Sequence, residues 1–141
     1  MMRWLTHLGG ARATVGGGVA LTVWEPRLGL AALIATVGSH LVVQVLKRLV
    51  ARARPCDVNG QLLALVDLPD PFSFPSGHAA AVMAVAGSVT LTTPGAGILL
   101  LPLAVAVAAS RVTLRVHHVS DVIAGAGLGL AGALGAHHLL Y

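Results

Sequence analysis

Between Leu28 and Leu46 the chain contains no Asp, Glu, Lys or Arg, and the same holds from Pro71 to Ser110. About 20 apolar residues suffice to cross a bilayer as a helix, and lipid offers no water to a backbone that is not internally hydrogen-bonded. The second stretch is too long for one crossing, and Thr92-Thr93-Pro94-Gly95 divides it with turn chemistry. Charged residues make up 10% of the chain and hydrophobic ones 56%, whereas a soluble domain is about one quarter charged. Aromatic residues are few, so the apolar mass is Leu, Val, Ala and Gly, which suits closely packed helices in lipid.

The pattern predicts an all-α integral membrane bundle of about five transmembrane helices in a single domain covering residues 1–141. A weak first helix is expected over residues 5–24, interrupted by Arg12 and several glycines, and stronger ones over 28–50, 77–92, 96–114 and 119–139. The interruption also argues against a removable signal peptide, although Arg3 is suitably placed for one. Residues 51–74 form the one long connection, with Asp57, Asp67 and Asp70 and the apolar run from Leu62 to Val66. That run fits an amphipathic piece on the membrane surface or a hairpin packed on the helix ends. In the last helix Gly125, Gly129 and Ala133 fall four apart, as do Gly127 and Ala131. Such a stripe admits a close neighbour, and a homo-oligomer through this Gly/Ala-rich helix is one expectation. Cys56 is the only cysteine, which excludes an internal disulfide and a cysteine metal site. The net charge is +4, but outside residues 47–54 there is no dense basic block, so nucleic acid is not an expected partner.

Three short polar stretches break this apolar background: Lys47 with Arg54-Pro55, Pro75-Ser76-Gly77-His78, and Ser110-Arg111 followed by His117 and Asp121. Because successive helices reverse direction, the end of the second, the start of the third, the end of the fourth and the start of the fifth share one membrane face. All three stretches therefore converge. Lys47, Arg54 and Arg111 supply cations for a phosphate, arginine as a planar fork and lysine as a point charge. Ser76-Gly77-His78 opens a helix whose free N–H groups suit an anion, with the Ser76 hydroxyl as a further donor. His117 and Asp121, spaced i, i+4, share a helical face. A carboxylate on one ring nitrogen leaves the other as a nucleophile toward phosphorus. His78 is then the acid for the departing oxygen. Ionisable groups within membrane segments are functional candidates by default.

These stretches, K-x6-R-P, P-S-G-H and S-R-x5-H-x3-D, resemble the signatures of the type 2 phosphatidic acid phosphatase superfamily over about residues 28–141. Its members include lipid phosphate phosphatases, bacterial acid phosphatases and vanadium haloperoxidases. The resemblance implies a metal-independent phosphohydrolase that needs no cofactor and removes a terminal phosphate from a lipid-linked substrate through a phosphohistidine. It places His117, His78 and Asp121 in catalysis and Lys47, Arg54, Ser76, Gly77 and Arg111 on phosphate. Membrane members typically carry six helices, so the family's first helix is expected to be missing here. A lipid phosphotransferase using the same intermediate, or a non-catalytic membrane binding or structural protein, are the alternative readings.

The remaining polar residues are expected to be peripheral: His118 a bystander, His40 a core residue beside the pocket, Arg115 and the pair Arg48 and Arg52 in contact with lipid headgroups. His7, His137 and His138 receive no role. The motif face also carries Arg3, Arg12, Arg48, Arg52 and Arg115, against Arg27 alone opposite. This bias predicts a multi-pass protein of a bacterial inner membrane with the site toward the cytoplasm, although bacterial members more often face outward.

Overall fold

The computed structural model describes residues 6–58, 61, 62, 66, 68 and 70–141. A 3-10 turn at Thr6–Gly9 leads into α1 (Ala11–Trp24), and a single residue, Glu25, separates it from α2 (Pro26–Val50). The chain then runs through a two-residue antiparallel pair, Asp57–Val58 with Gln61–Leu62, to α3 (Gly77–Thr92), α4 (Pro94–Thr113) and α5 (Val119–Leu140). Prolines in the first turns of α2 and α4 fit helix starts, where a missing N–H costs nothing. The expected break after Thr92 is the one-residue corner at Thr93.

The bundle is organised around α3. This helix packs on α2, α4 and α5, and from Ala79 to Ala84 every residue is buried. Its uniform apolarity therefore reflects burial inside protein rather than contact with lipid. Lipid-facing surface comes instead from the outer sides of α2, α4 and α5, where Leu41, Leu49, Ile98, Leu99, Ile123 and Leu139 are exposed. These three helices are long and apolar enough to cross a membrane. At about 1.5 Å per residue, α1 and α3 reach only about 21 and 24 Å, short of a hydrocarbon core about 30 Å thick. The expected first helix over 5–24 is thus a shorter helix preceded by a turn; residues 1–5 lie outside the described set.

Small residues decide how closely α5 approaches α3. A Cβ on Gly125 would lie 2.3 Å from the Ser76 carbonyl oxygen, and one on Gly129 would lie 2.2 Å from that of Ala80. The Gly125–Gly129–Ala133 stripe is therefore filled by α3 of the same chain. That stripe is thus taken up within the chain, whereas Gly127 and Ala131 on the same helix are exposed. Gly127 meets nothing within 4 Å of such a Cβ. In the long connection Val66 and Leu68 pack on Cys56, Leu114 and Val116, which fastens it to the start of the α4–α5 loop. The expected apolar run Leu62–Val66 lies mostly outside the described residues.

Gly129→Ala should lower stability by about 1–3 kcal/mol, the usual cost of overpacking a tight contact. Gly127→Ala should not, and thermal unfolding in detergent compares the two.

Candidate active site

The C-terminal turn of α2, the N-terminus of α3 and the α4–α5 loop meet at one end of the bundle. Lys47, Arg54 and Arg111 are only 4%, 3% and 2% exposed there. Buried cations require partners. The Lys47 ammonium donates to both carboxylate oxygens of Asp70 at 2.8 and 2.9 Å and to the Phe72 carbonyl at 2.9 Å. Arg54 donates from Nε to the Asp70 carbonyl at 3.1 Å, from one terminal nitrogen to Asp70 Oδ1 at 3.2 Å, and from the other to the Val116 carbonyl at 2.9 Å. Arg111 donates to the Thr6 hydroxyl, while its buried Nε finds no hydrogen-bond partner among the described residues. An unsatisfied buried donor costs about 1–3 kcal/mol, more when charged. A phosphate oxygen is the kind of group that would repay it.

His117 follows α4 in the loop to α5. Its Nδ1 lies 2.6 Å from the Ser73 carbonyl oxygen, which can only accept, so the proton sits on Nδ1. Nε2 then carries the lone pair, which accepts a long hydrogen bond of 3.4 Å from an Arg54 terminal nitrogen. Burial first, and then the charges of Arg54, Arg111 and Lys47, push the pKa of this imidazole well below its ordinary value. It is held neutral, as a nucleophile requires.

Asp121 corrects the expected pairing. Its Oδ2 is 3.7 Å from His117 Nδ1 and instead accepts the His118 N–H at 2.8 Å, while Oδ1 accepts from Arg52 at 2.9 Å. The tautomer of His117 is set by the backbone, and Asp121 acts beside it as a fully buried negative charge. Ser76 is corrected as well. Its Oγ accepts the Ala79 N–H at 3.4 Å as the cap of α3, and its own N–H donates to the Asp121 carbonyl at 2.9 Å. It joins α3 to α5 from behind Gly77 and is not part of the cavity wall.

A cavity of about 470 Å³ opens from this cluster. Lys47, Arg54, Asp70, Gly77, His78, Arg111 and His117 line its polar end, whereas the rest is lined mainly by apolar residues such as Val15, Val37, Leu41 and Ala81, with Thr14, Thr36, His40 and Gln44 among them. Seven of the eight residues expected at the site are thus drawn together around it, six on the wall and Asp121 behind His117.

Residues 28–141 match the model of the PAP2 superfamily. The chain belongs to this family. Among PAP2 relatives, decaprenylphosphoryl-5-phosphoribose phosphatase of Mycobacterium tuberculosis is 37% identical over 102 residues, 69% of this chain and 54% of the relative. Undecaprenyl-diphosphatase of Sulfolobus acidocaldarius is 36% identical over 104 residues, 73% of this chain and 50% of the relative. The chain thus spans about half the length of these curated relatives. The crystal structure of a transmembrane PAP2-type phosphatidylglycerolphosphate phosphatase from Bacillus subtilis superposes with a TM-score of 0.77 at 30% identity, covering 98% of this chain and 74% of that one. With its apolar helices, this PAP2 chain is a multi-pass membrane protein.

Sequence reasoning missed Asp70, Arg52 and Thr6. Asp70 was legible as one of three acids near two cations that burial would force to find counter-charges. Arg52, expected in lipid headgroups, instead bridges Ser120 at 2.7 Å and Asp121. His118, expected to be a bystander, caps α5. Because Asp70 and Phe72 occupy all three N–H groups of Lys47, an incoming anion competes with a resident carboxylate. Asp70→Asn should tighten inorganic phosphate or vanadate binding about tenfold, read by calorimetry on the purified protein.

Proposed function

We propose that this PAP2 chain is a metal-independent lipid phosphate phosphatase. The observation that carries the reading is the cavity itself: one end holds three buried cations with His78 and His117, and the remainder, bounded by α1 and the lipid-exposed side of α2, is largely apolar apart from Thr14, Thr36, His40 and Gln44. A lipid-linked phosphate has that same division.

In this reading Lys47, Arg54 and Arg111 hold the phosphoryl oxygens together with the first N–H groups of α3 at Gly77. His117 Nε2 attacks phosphorus, a P–N bond forms, and the P–O bond to the lipid breaks. His78 protonates the departing oxygen. It then takes a proton from water, whose oxygen attacks phosphorus, and the P–N bond breaks to release phosphate. The Ser73 carbonyl keeps the Nδ1 proton in place, and Asp121 stabilises the positive ring that forms during attack. The names of the relatives support a lipid-linked substrate: a decaprenyl-linked phosphoribose, an undecaprenyl diphosphate or phosphatidylglycerol phosphate.

We place the site on the cytoplasmic face of a bacterial inner membrane, on the arginine bias of Arg12, Arg48, Arg52 and Arg115 against Arg27. Such an enzyme would serve lipid synthesis rather than recycling of an exported carrier.

Detergent-purified protein should release phosphate from at least one lipid phosphate, and His117→Ala should abolish that release. Vanadate should inhibit by mimicking five-coordinate phosphorus, and EDTA should not. Retained turnover in His117→Ala would remove the nucleophile assignment; product formed only with an added alcohol would identify a phosphotransferase. For sidedness, an Arg115→Cys, Cys56→Ser protein should resist a membrane-impermeant maleimide in intact cells and react after permeabilisation. Labelling without permeabilisation would reverse the orientation.

A further inference from the structure

The polar end of the cavity is not its only polar feature. Along α2, Thr36, His40 and Gln44 precede Lys47 at intervals of about one turn and all line the same cavity. At about 1.5 Å per residue, Thr36 lies about 16 Å from Lys47 along the helix. Within a membrane-spanning helix, polar side chains that face a cavity call for a partner.

His40 and Gln44 bond to each other, with 3.1 Å between His40 Nε2 and Gln44 Nε2. The Gln44 amide nitrogen can only donate, so it donates to the His40 Nε2 lone pair, the ring proton sits on Nδ1, and the Gln44 amide oxygen stays open as an acceptor. The pair therefore keeps at least one donor and one acceptor for a third group. Nδ1 of His40 lies 4.0 Å from where a Cβ on Gly77 would be, so this group would sit directly beside the α3 terminus. Deeper along the same face, the hydroxyl of Thr36 is buried without a hydrogen-bond partner among the described residues. Thr36 itself is 4% exposed.

An alcohol both donates and accepts, and matches this set. A second phosphate joined directly to the first would face the His40–Gln44 pair with acceptors alone, and the three buried cations, Lys47, Arg54 and Arg111, all lie at the phosphate end. An acyl or prenyl chain would leave Thr36, His40 and Gln44 unsatisfied. We propose that Thr36, His40 and Gln44 form a leaving-group subsite that reads hydroxyls between the terminal phosphate and the lipid chain. The preferred substrate is then a lipid-linked polyol phosphate, glycerol or sugar, rather than a lipid diphosphate or an ester without hydroxyls. This rests on the phosphatase reading above.

The test measures kcat/KM of the full chain in detergent on phosphatidylglycerol phosphate, whose leaving group carries a free hydroxyl, and on phosphatidic acid and undecaprenyl diphosphate, whose leaving groups carry none. Wild type should favour the first. In His40→Leu and Gln44→Leu, the two rungs beside the phosphate end, that preference should fall about tenfold each, the usual loss for one hydrogen bond. Thr36→Val should change it less than either, because Thr36 lies about 16 Å from Lys47 along the helix, and unchanged melting temperatures would exclude a folding defect. Equal losses on all three lipids, unchanged preference, or a wild type that favours the diphosphate would overturn the subsite and leave the phosphatase reading intact. No phosphate release from any lipid by wild type would overturn both.

Discussion

Burying Lys47, Arg54 and Arg111 at one end of an apolar bundle is the constraint to which the local architecture answers. A charge out of water must be matched by another charge or by oriented dipoles. Asp70 answers for Lys47 and Arg54 together, and the carbonyls of Asp70, Phe72 and Val116 supply the rest. These acceptors come from the connection before α3 and from the α4–α5 loop. Satisfying the cations thus folds two irregular segments against the helix ends. Arg111 is the exception, with one buried donor left over among the described residues, and it marks where an anion is most needed.

Close helix approach is the complementary requirement. The site elements lie on different helices, and their spacing depends on backbone contact between α5 and α3 at Gly125 and Gly129. The Ser76 N–H to Asp121 carbonyl bond lies at the start of both helices, one turn from the Gly125 contact. Packing and site geometry are therefore one structure at this point. A bulkier residue at Gly125 would displace the first turn of α5, which carries Asp121.

Much of this was legible in the chain. Charge-free runs located the helices, the Thr-Thr-Pro-Gly corner divided the longest run, and alternation of direction brought Lys47, Arg54, Gly77, His78, Arg111 and His117 to one face. Burial of α3 was not legible, because a core helix in a membrane bundle and a lipid-facing one are equally apolar. The i, i+4 spacing of His117 and Asp121 suggested direct contact on a helix. In fact His117 precedes α5, so helical geometry does not apply to it and the ring turns toward Ser73. The partner of Arg52 was equally hidden, since it lies 69 positions away.

The hold on His117 comes from the Ser73 carbonyl. A carbonyl belongs to the peptide unit, so no side-chain substitution at position 73 deletes it. The imidazole orientation can drift through Asp121 or Arg52, yet its hydrogen remains anchored as long as the chain before Pro75 keeps its path. What the anchor itself demands is a backbone path, and the fully buried Ser73 side chain serves that path by donating to the Ala53 carbonyl at 2.9 Å. The identity of residue 73 therefore acts on the anchor only through the route the chain takes.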